Sequence, residues 1–251
     1  VLKIGQKEIN RLKENSHNQL ASLINIEDCV VAVSALAPAK TILDVQKNIT
    51  IVSNMIRAIE IAKPSYVLNI GSDAVFDDLP LPISEASGKN PYTPHGIMHL
   101  ARELCFGTLD TKVGTLRPTL IYGKDDPHNG YGPNRFLRLA LKSEPINLFG
   151  NGEEQRDHVF IDDVSILASL MVKSRLVGSL NAATGKAMSF MEVASTIKLI
   201  SESSSEIVSN KRNGPMPHNG IRTFDPSKIY DTFPSFSFTA FEEAISKIIH
   251  S

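Results

Sequence analysis

The feature that most constrains the fold of this chain is an alternation of short apolar runs with longer amphipathic segments. The runs are rich in Val, Ile and Leu and predict β-strands at residues 29–34, 66–70, 112–116 and 158–161. Between them, residues 43–61 repeat apolar positions at a period close to 3.6 and are followed by Pro64, and a second such helix begins near Pro94. Strands that alternate with helices predict an α/β fold built on a parallel sheet that helices cover on both sides.

Turn-forming residues suggest where this pattern is interrupted. After Tyr122 the chain enters residues 125–133, which are dense in Asp, Asn, Gly and Pro. We therefore place a domain boundary between residues 124 and 125, with a smaller lobe at 125–251. Within that lobe, residues 201–219 are expected to form a loop.

Composition excludes several classes of function. A formal net charge of -1 gives no basic surface for nucleic acid, and no apolar run reaches the roughly 18 residues that a membrane helix needs. Cys29 and Cys105 lie in apolar contexts, which predicts buried thiols in a reducing compartment. We expect a cytoplasmic protein with no nucleic-acid or membrane partner.

Polar residues that follow the predicted strands are the first candidates for a site, because ligands of such sheets bind beyond the carboxyl ends of the strands. Ser72 follows the strand that ends at Ile70. Its hydroxyl group is suited to donating to a substrate oxygen or accepting a proton. The alternative is that Ser72 only forms a turn or caps a helix.

Two histidines lie on the helix that begins near Pro94. His95 and His99 are four residues apart, so they share one face of the helix. Imidazoles in this arrangement can transfer protons, bind an anion or ligate a metal, whereas the alternative is that both are solvated residues of an amphipathic helix. We expect no metal, because the sequence lacks the Glu of a His-Glu-x-x-His motif and an evident third ligand.

The order of these motifs resembles a known family. Ser72, a loop with Pro82 and Glu85, and then Pro91-x-x-Pro94-His95-Gly-x-x-His99-x-x-x-Glu103 resemble the extended short-chain dehydrogenases/reductases, and specifically the NAD-dependent nucleotide-sugar epimerases and dehydratases. The resemblance continues through later segments, at residues 116–123, 134–136, 148–163, 181–185 and 225–228.

This resemblance implies a Rossmann-type doubly wound parallel sheet at residues 1–124 and a substrate-binding lobe at 125–251, with residues near 158–184 returning to the core sheet. It implies NAD or NADP as cofactor and a nucleotide sugar as substrate. By position in the family pattern, the catalytic residues are Ser72, His95 and His99. The cofactor-binding residues are Ser34, Ala35, Asn48, His99, Pro118 and Thr119. The substrate-binding residues are Asn134, Phe149, Arg156 and Arg222.

The sequence departs from the family pattern in two places. His95 and His99 stand where the family has Tyr and Lys, and the glycine-rich Gly-x-x-Gly-x-x-Gly turn that binds the cofactor pyrophosphate is absent. Val1–Gly5 resembles the second strand of the family, so we expect that about 30 residues of a first βαβ unit lie upstream or were lost.

The histidine replacement leaves two functions open. A free Tyr titrates near 10 and needs help to accept a proton, whereas a His titrates near 6.5, so His95 is suited to acid/base chemistry and His99 to a ribose hydrogen bond. Tyr92, one turn earlier, is the alternative acid. The resemblance favours an enzyme, and the alternative is a catalytically silent nucleotide-sugar binding or regulatory subunit. The resemblance also implies a homodimer formed through the helices at 43–61 and 95–106. Separately, Asp162 and Asp163 are expected to cap a helix at Val164.

Overall fold

A computed structural model describes residues 1–126 and 129–251 of the chain. Pro127 and His128, which belong to the predicted loop at 125–133, lie outside the described residues. The helices are α1 (Ser16–Ala21), α2 (Ile42–Ala62), α3 (Pro94–Phe106), α4 (Pro133–Leu141), α5 (Ile161–Ser174), α6 (Phe190–Ile200), α7 (Ser227–Thr232) and α8 (Phe241–His250). The strands are β1 (Cys29–Ala32), β2 (Tyr66–Ile70), β3 (Val113–Pro118), β4 (Leu120–Tyr122), β5 (Ile146–Phe149), β6 (Gln155–Phe160), β7 (Gly178–Ala182), β8 (Ala187–Ser189), β9 (Ile207–Asn210) and β10 (Ile221–Arg222).

The chain divides into two compact units. Unit 1 comprises Val1–Asp77, Glu85–Pro118 and Leu167–Asn181, and unit 2 comprises Asp78–Ser84, Thr119–Ile166 and Ala182–Ser251. Each unit takes residues from both sides of position 124, and the division of the sequence at that position stays a prediction.

The main sheet of unit 1 has the strand order β1-β2-β3-β7. The pairings of β1 with β2 and of β2 with β3 are parallel. Helices α2 and α3 pack against each other, and buried side chains of α2 such as Ile51 and Val52 pack with Ala32 and Val67 of the sheet. The predicted α/β fold with a parallel sheet is therefore confirmed.

Local sequence signals explain the bounds of α2. Thr41 and Asp44 form a capping box, in which each side chain bonds the backbone N–H of the other residue. Lys63 ends the helix in the left-handed conformation (φ 51°), directly before Pro64. The helix thus extends one residue beyond the predicted range at each end.

Unit 2 holds a separate group of strands and its own core. β6 pairs in parallel with β10 and β4 and antiparallel with β8, while β5 pairs in parallel with β9. The core includes Phe136, Leu148, Phe190 and Ile245, each at most 3% exposed. Among the described residues, no helix combines the length and the apolar character that crossing a membrane requires.

Several local predictions are wrong. Val1–Gly5 forms no strand, and the predicted loop at 201–219 contains β9, which pairs with β5. Asp162 and Asp163 lie inside the first turn of α5 instead of capping it, because the helix already begins at Ile161.

Asp163, Cys29 and Cys105 have different surroundings from those expected. Asp163 accepts hydrogen bonds from the backbone N–H of Thr239 (2.9 Å) and from its hydroxyl group (2.8 Å). Cys29 and Cys105 are free thiols, as expected, but they are half-buried and not fully buried.

Candidate active site

Ser72 lies just beyond the carboxyl end of β2. Its Oγ accepts a hydrogen bond from the backbone N–H of Ala74 (3.2 Å) and so caps the short 3-10 helix Asp73–Val75. The hydroxyl group also donates to Oδ1 of Asp73 over 3.4 Å, a long hydrogen bond. Ser72 therefore has the capping role that the turn alternative predicts, and a catalytic role for it stays a prediction.

The two histidines occupy the first turns of α3. Thr93 caps this helix by accepting from the N–H of Gly96 (3.1 Å), and Pro94 takes the first helical position, where its missing N–H has no consequence. The rings of His95 and His99 meet edge to face with centroids 4.7 Å apart. His99 is only 7% exposed, so it is not the solvated residue that an amphipathic helix would allow.

Burial keeps both histidines neutral. It lowers the pKa of His95, an effect that the charge of Asp73 opposes. It lowers the pKa of His99 to about 3, with further lowering by His95 and Arg102. The Nδ1 atoms of both rings are buried and have no hydrogen-bond partner among the described residues. A neutral imidazole has one donor and one acceptor nitrogen, so each ring can still bond a ligand or accept a proton.

Gly96 allows α3 to approach the segment that carries Ser72. A Cβ atom at position 96 would lie 2.3 Å from the carbonyl oxygen of Ala74 and 2.7 Å from Cβ of Pro91. The 3-10 helix and α3 are in contact at this point. The glycine between the histidines therefore holds the Ser72 segment and the histidine helix together.

Gly96→Ala is expected to lower the free energy of unfolding by about 1–3 kcal/mol, because the added methyl group overpacks a contact with rigid backbone. Gly107→Ala is the control, since it lies at the end of the same helix, has φ -64° and would meet its nearest atom at 3.2 Å. Urea unfolding of both variants measures the difference. Equal stability of the two variants would show that the contact at Gly96 is not close.

The predicted cofactor residues of unit 1 surround the turn after β1. Asn48, 1% exposed, accepts from the N–H of Leu36 (2.8 Å) and donates to the carbonyl groups of Leu36 (3.0 Å) and Asp44 (2.9 Å). Its amide group therefore fixes the backbone of this turn, next to the half-buried Ser34 and Ala35. The carbonyl group of Ser34 accepts a hydrogen bond from Arg102 of α3.

The other two predicted cofactor residues lie where β3 ends. Pro118 is the last residue of β3 in unit 1, and Thr119 is the first residue of the next segment of unit 2. The Thr119 hydroxyl group lies 3.3 Å from Oδ1 of Asp157 and 3.4 Å from the carbonyl oxygen of Ala182. Both contacts are within unit 2, and they give Thr119 a structural role there.

Two of the predicted substrate residues are neighbours in unit 2. Arg156 on β6 and Arg222 on β10 are direct partners in the parallel register of these strands. They are 5% and 2% exposed. Two buried guanidinium groups on adjacent strands repel each other unless carboxylates or a bound anion compensate their charge.

Two carboxylates supply this compensation. Glu154 contacts Nη2 of Arg156 (2.5 Å) and Nη2 of Arg212 (3.1 Å), and Asp78 bonds Nη1 of Arg222 and Nδ1 of His218 (2.5 Å). Glu154 is therefore shared by Arg156 and Arg212, and Asp78 is shared by Arg222 and His218. Burial lowers the pKa of His218, while its hydrogen bond to Asp78 opposes this lowering. Arginine pairs of this kind suit the oxygens of a phosphate group.

The other two predicted substrate residues, Asn134 and Phe149, lie on different elements of unit 2 and make different contacts. Oδ1 of Asn134, at the start of α4, accepts from the N–H of Gly123 (3.0 Å) and so holds the backbone directly after β4. Phe149, at the end of β5, is 50% exposed and packs its ring 4.7 Å from that of Tyr131. An exposed ring beside Arg212 (5.9 Å) offers a stacking surface.

Sequence reasoning missed the partners of these residues. Asn69, Asp78, Arg102, Glu154 and His218 were not among its candidates. Only Glu154 had a usable signal, because it lies two residues before Arg156 in an extended segment and so shares its face.

Tyr92, the alternative acid, is 62% exposed and precedes the cap of α3. In residues 1–126 and 129–251, no cluster of three or more His, Cys, Asp or Glu side chains could hold a metal ion.

Comparisons with known proteins show which family this architecture belongs to. Residues 12–181 match the model of the NAD dependent epimerase/dehydratase family. An uncharacterised UDP-glucose epimerase of Bacillus subtilis is 23% identical over 212 residues, which are 79% of this chain and 66% of that protein. A UDP-N-acetyl-alpha-D-glucosaminuronate decarboxylase of Bacillus cytotoxicus is 26% identical over 219 residues, 80% of this chain and 68% of that protein.

Solved structures show the same fold. UDP-N-acetylglucosamine 4-epimerase from Methanobrevibacter ruminantium superposes with a TM-score of 0.84 at 20% identity, over 97% of this chain and 81% of that one. UDP-glucose 4-epimerase from Thermus thermophilus, solved in complex with NAD, gives 0.81 at 20% identity, over 97% and 83% of the two chains. The family match covers well over half of the sequence and agrees with the observed parallel sheet. The chain therefore belongs to the NAD dependent epimerase/dehydratase family.

Proposed function

We propose that this chain is an NAD(P)-dependent enzyme of the epimerase/dehydratase type that acts on a nucleotide sugar, with His95 as general acid/base. The observation that carries the proposal is the pair of neutral histidines on α3, which combines buried, unpartnered Nδ1 atoms with contact to the Ser72 segment. Family membership and the UDP-sugar names of the relatives support the class of substrate.

The residues of unit 1 fit part of a dinucleotide. The buried, unpartnered Nδ1 atom of His99 suits a hydroxyl group such as that of a ribose, and the turn after β1 is held rigid by Asn48. The given sequence contains no glycine-rich turn for the pyrophosphate. When bound, a nicotinamide cofactor supplies acceptance and return of a hydride.

The residues of the chain handle the proton in this proposal. His95, being neutral, accepts the proton of a sugar hydroxyl group and later returns it. Ser72 exchanges its long hydrogen bond to Asp73 for one to the sugar oxygen. His99, neutral as well, provides a hydrogen bond without the charge of a lysine.

The residues of unit 2 are proposed to bind the nucleotide part of the substrate. Arg156 and Arg222 present adjacent guanidinium groups, and the planar donors of a guanidinium group suit the oxygens of a diphosphate. Phe149 offers its exposed ring, and Asn134 holds the backbone at Gly123.

The test is turnover of the purified chain with NAD or NADP and a panel of UDP-sugars, read as conversion of the sugar and as cofactor reduction. His95→Ala is expected to lower kcat about a hundredfold or more, because a positioned acid/base contributes that much. Tyr92→Phe is the matched control, since it removes the alternative acid, and it is expected to leave kcat unchanged. Loss of activity in Tyr92→Phe with none in His95→Ala would reassign the acid.

A catalytically silent binding or regulatory subunit is the second candidate. It is favoured by the deep burial of His99, which is too weakly basic to replace a lysine ammonium group. This function predicts binding of a UDP-sugar in calorimetry without turnover, and binding unchanged by His95→Ala.

A homodimer through α2 and α3 is likewise a proposal. The exposed side chains of Ile97 and Leu104 on α3 support it, and sedimentation equilibrium measures the oligomeric state.

A further inference from the structure

Arg102 is a buried cation on the helix that carries the histidines. It is 1% exposed and lies one turn beyond His99. Its Nε donates to Oδ1 of Asn69 on β2 (2.6 Å), and its Nη1 and Nη2 donate to the carbonyl groups of Ser34 and Ala32 at the carboxyl end of β1. One guanidinium group thus joins α3 to the ends of two neighbouring strands.

The charge of Arg102 has no carboxylate partner among the described residues. The adjacent Glu103 bonds Arg117 and Lys89, and every hydrogen bond of Arg102 goes to an amide or carbonyl oxygen. Burial lowers the pKa of Arg102 only to about 10, so the group stays charged at neutral pH. A buried, unpaired cation exerts a strong field on neighbouring groups, because little water screens it.

We propose that Arg102 is a positioning residue of the histidine site, a fixed cation that anchors α3 to the ends of β1 and β2 and adds to the effect of burial in opposing a positive charge on His99. Residues three apart on a helix are neighbours, so the guanidinium group lies close to His99. This role rests on the proposed function of His95, for which a neutral imidazole is the proton acceptor.

The other groups that act on the pair are few. Burial is the main cause of the low pKa of His99; His95 and Arg102 lower this pKa further, and Glu103 raises it. Asp73 of the 3-10 helix raises the pKa of His95. Arg102 is therefore the permanently charged group that opposes protonation of His99, while Glu103 favours protonation of His99 and Asp73 favours protonation of His95.

The test compensates the charge of Arg102 without removing it. Asn69→Asp places a carboxylate at the 2.6 Å contact with Nε, whereas Asn69→Ala removes the same hydrogen bond without adding charge. Titration by NMR of the imidazole resonances, assigned with His95→Gln and His99→Gln, follows the pair between pH 2.5 and pH 8. Asn69→Asp is expected to raise the proton affinity of the pair ten- to hundredfold, and Asn69→Ala is expected to leave it near the wild-type value.

Two variants of Arg102 separate charge from packing. Arg102→Lys keeps the charge but replaces three separate donor nitrogens by a single ammonium group, so it weakens the anchoring while the pair should titrate close to the wild type. Arg102→Gln should raise the proton affinity as Asn69→Asp does. The proposal is overturned if Asn69→Asp leaves the titration unchanged, or if Arg102→Lys shifts it as far as Arg102→Gln. Should Arg102→Gln fail to fold, the comparison of Asn69→Asp with Asn69→Ala decides.

This titration needs neither cofactor nor substrate. Absence of turnover in the wild-type chain would count against the proposed function and would leave the titration as the measure of Arg102. A normal turnover with an unchanged titration in Asn69→Asp would instead reject the role of Arg102 alone.

Discussion

Replacing Arg117 with methionine is expected to lower the free energy of unfolding by about 3–5 kcal/mol. Arg117, on β3, is 1% exposed and bonds both oxygens of Glu103 on α3, from Nε (2.9 Å) and from Nη2 (2.5 Å). The variant leaves a half-buried carboxylate without its main partner. Because Glu103 is on the same helix as His95 and His99, the loss should also loosen the attachment of the histidine helix to the sheet.

Lys89→Met is the matched control, since Lys89 bonds the same Glu103 oxygen (2.6 Å) from a side chain that is 31% exposed. Solvent weakens such a pair, and we expect a loss of about 1 kcal/mol or less. Urea unfolding at pH 7 measures both variants against the wild type. Similar losses in the free energy of unfolding of the two variants would show that the contact of buried Arg117 with Glu103 is no stronger than that of the more exposed Lys89.

Acid should destabilise the protein through two buried histidines. Burial lowers the pKa of both His99 and His158 to about 3, and the positive charge of Arg156 contributes to the shift of His158. In the unfolded chain each histidine titrates near 6.5. Their neutral burial therefore leaves stability intact above about pH 6.5 and reduces it as the pH falls toward 3, because the unfolded state then binds more protons. At pH 4.5 the loss is roughly 2–3 kcal/mol for each histidine.

His158→Phe tests this pH dependence at a histidine that has no proposed role in proton transfer. Neither ring nitrogen of His158 has a partner at hydrogen-bond geometry among the described residues, although the backbone of Arg156 partly favours the protonated ring. The ring packs against Phe190, with centroids 5.6 Å apart, so a phenyl ring fits the surroundings. Phenylalanine removes two unpartnered polar atoms and the proton uptake of the unfolded state.

The stability gain of His158→Phe should accordingly be larger in acid. Thermal or urea unfolding at pH 7.5 and pH 4.5 gives the comparison, and we expect the gain at pH 4.5 to exceed that at pH 7.5 by roughly 2–3 kcal/mol. An equal stability gain at pH 7.5 and pH 4.5 would mean that His158 takes up a proton as readily in the folded protein as in the unfolded chain.

Local signals in the sequence were enough for the elements that carry the candidate catalytic residues. The 3.6 period and Pro64 predicted α2 to within one residue at each end, and Pro94 marked the start of α3. The spacing of His95 and His99 predicted a shared face, and their rings do meet. Signals of this kind depend on neighbours within a few residues, which the sequence displays directly. Where the decisive partner was distant, as for β9 pairing with β5, the sequence predicted a loop instead.

The sequence by itself therefore determined the α/β fold, the placement of Ser72 after a strand and the pairing of two histidines on one helical face. Only the tertiary structure decided the electrostatics of these residues, because the partners are far apart in the chain. Arg102 reaches the carbonyl group of Ala32 across 70 positions, and Asp78 reaches Arg222 across 144. A periodic pattern in the sequence does not reveal such contacts. The burial that lowers the pKa of His99 to about 3 likewise arises only when α3 packs in the folded chain.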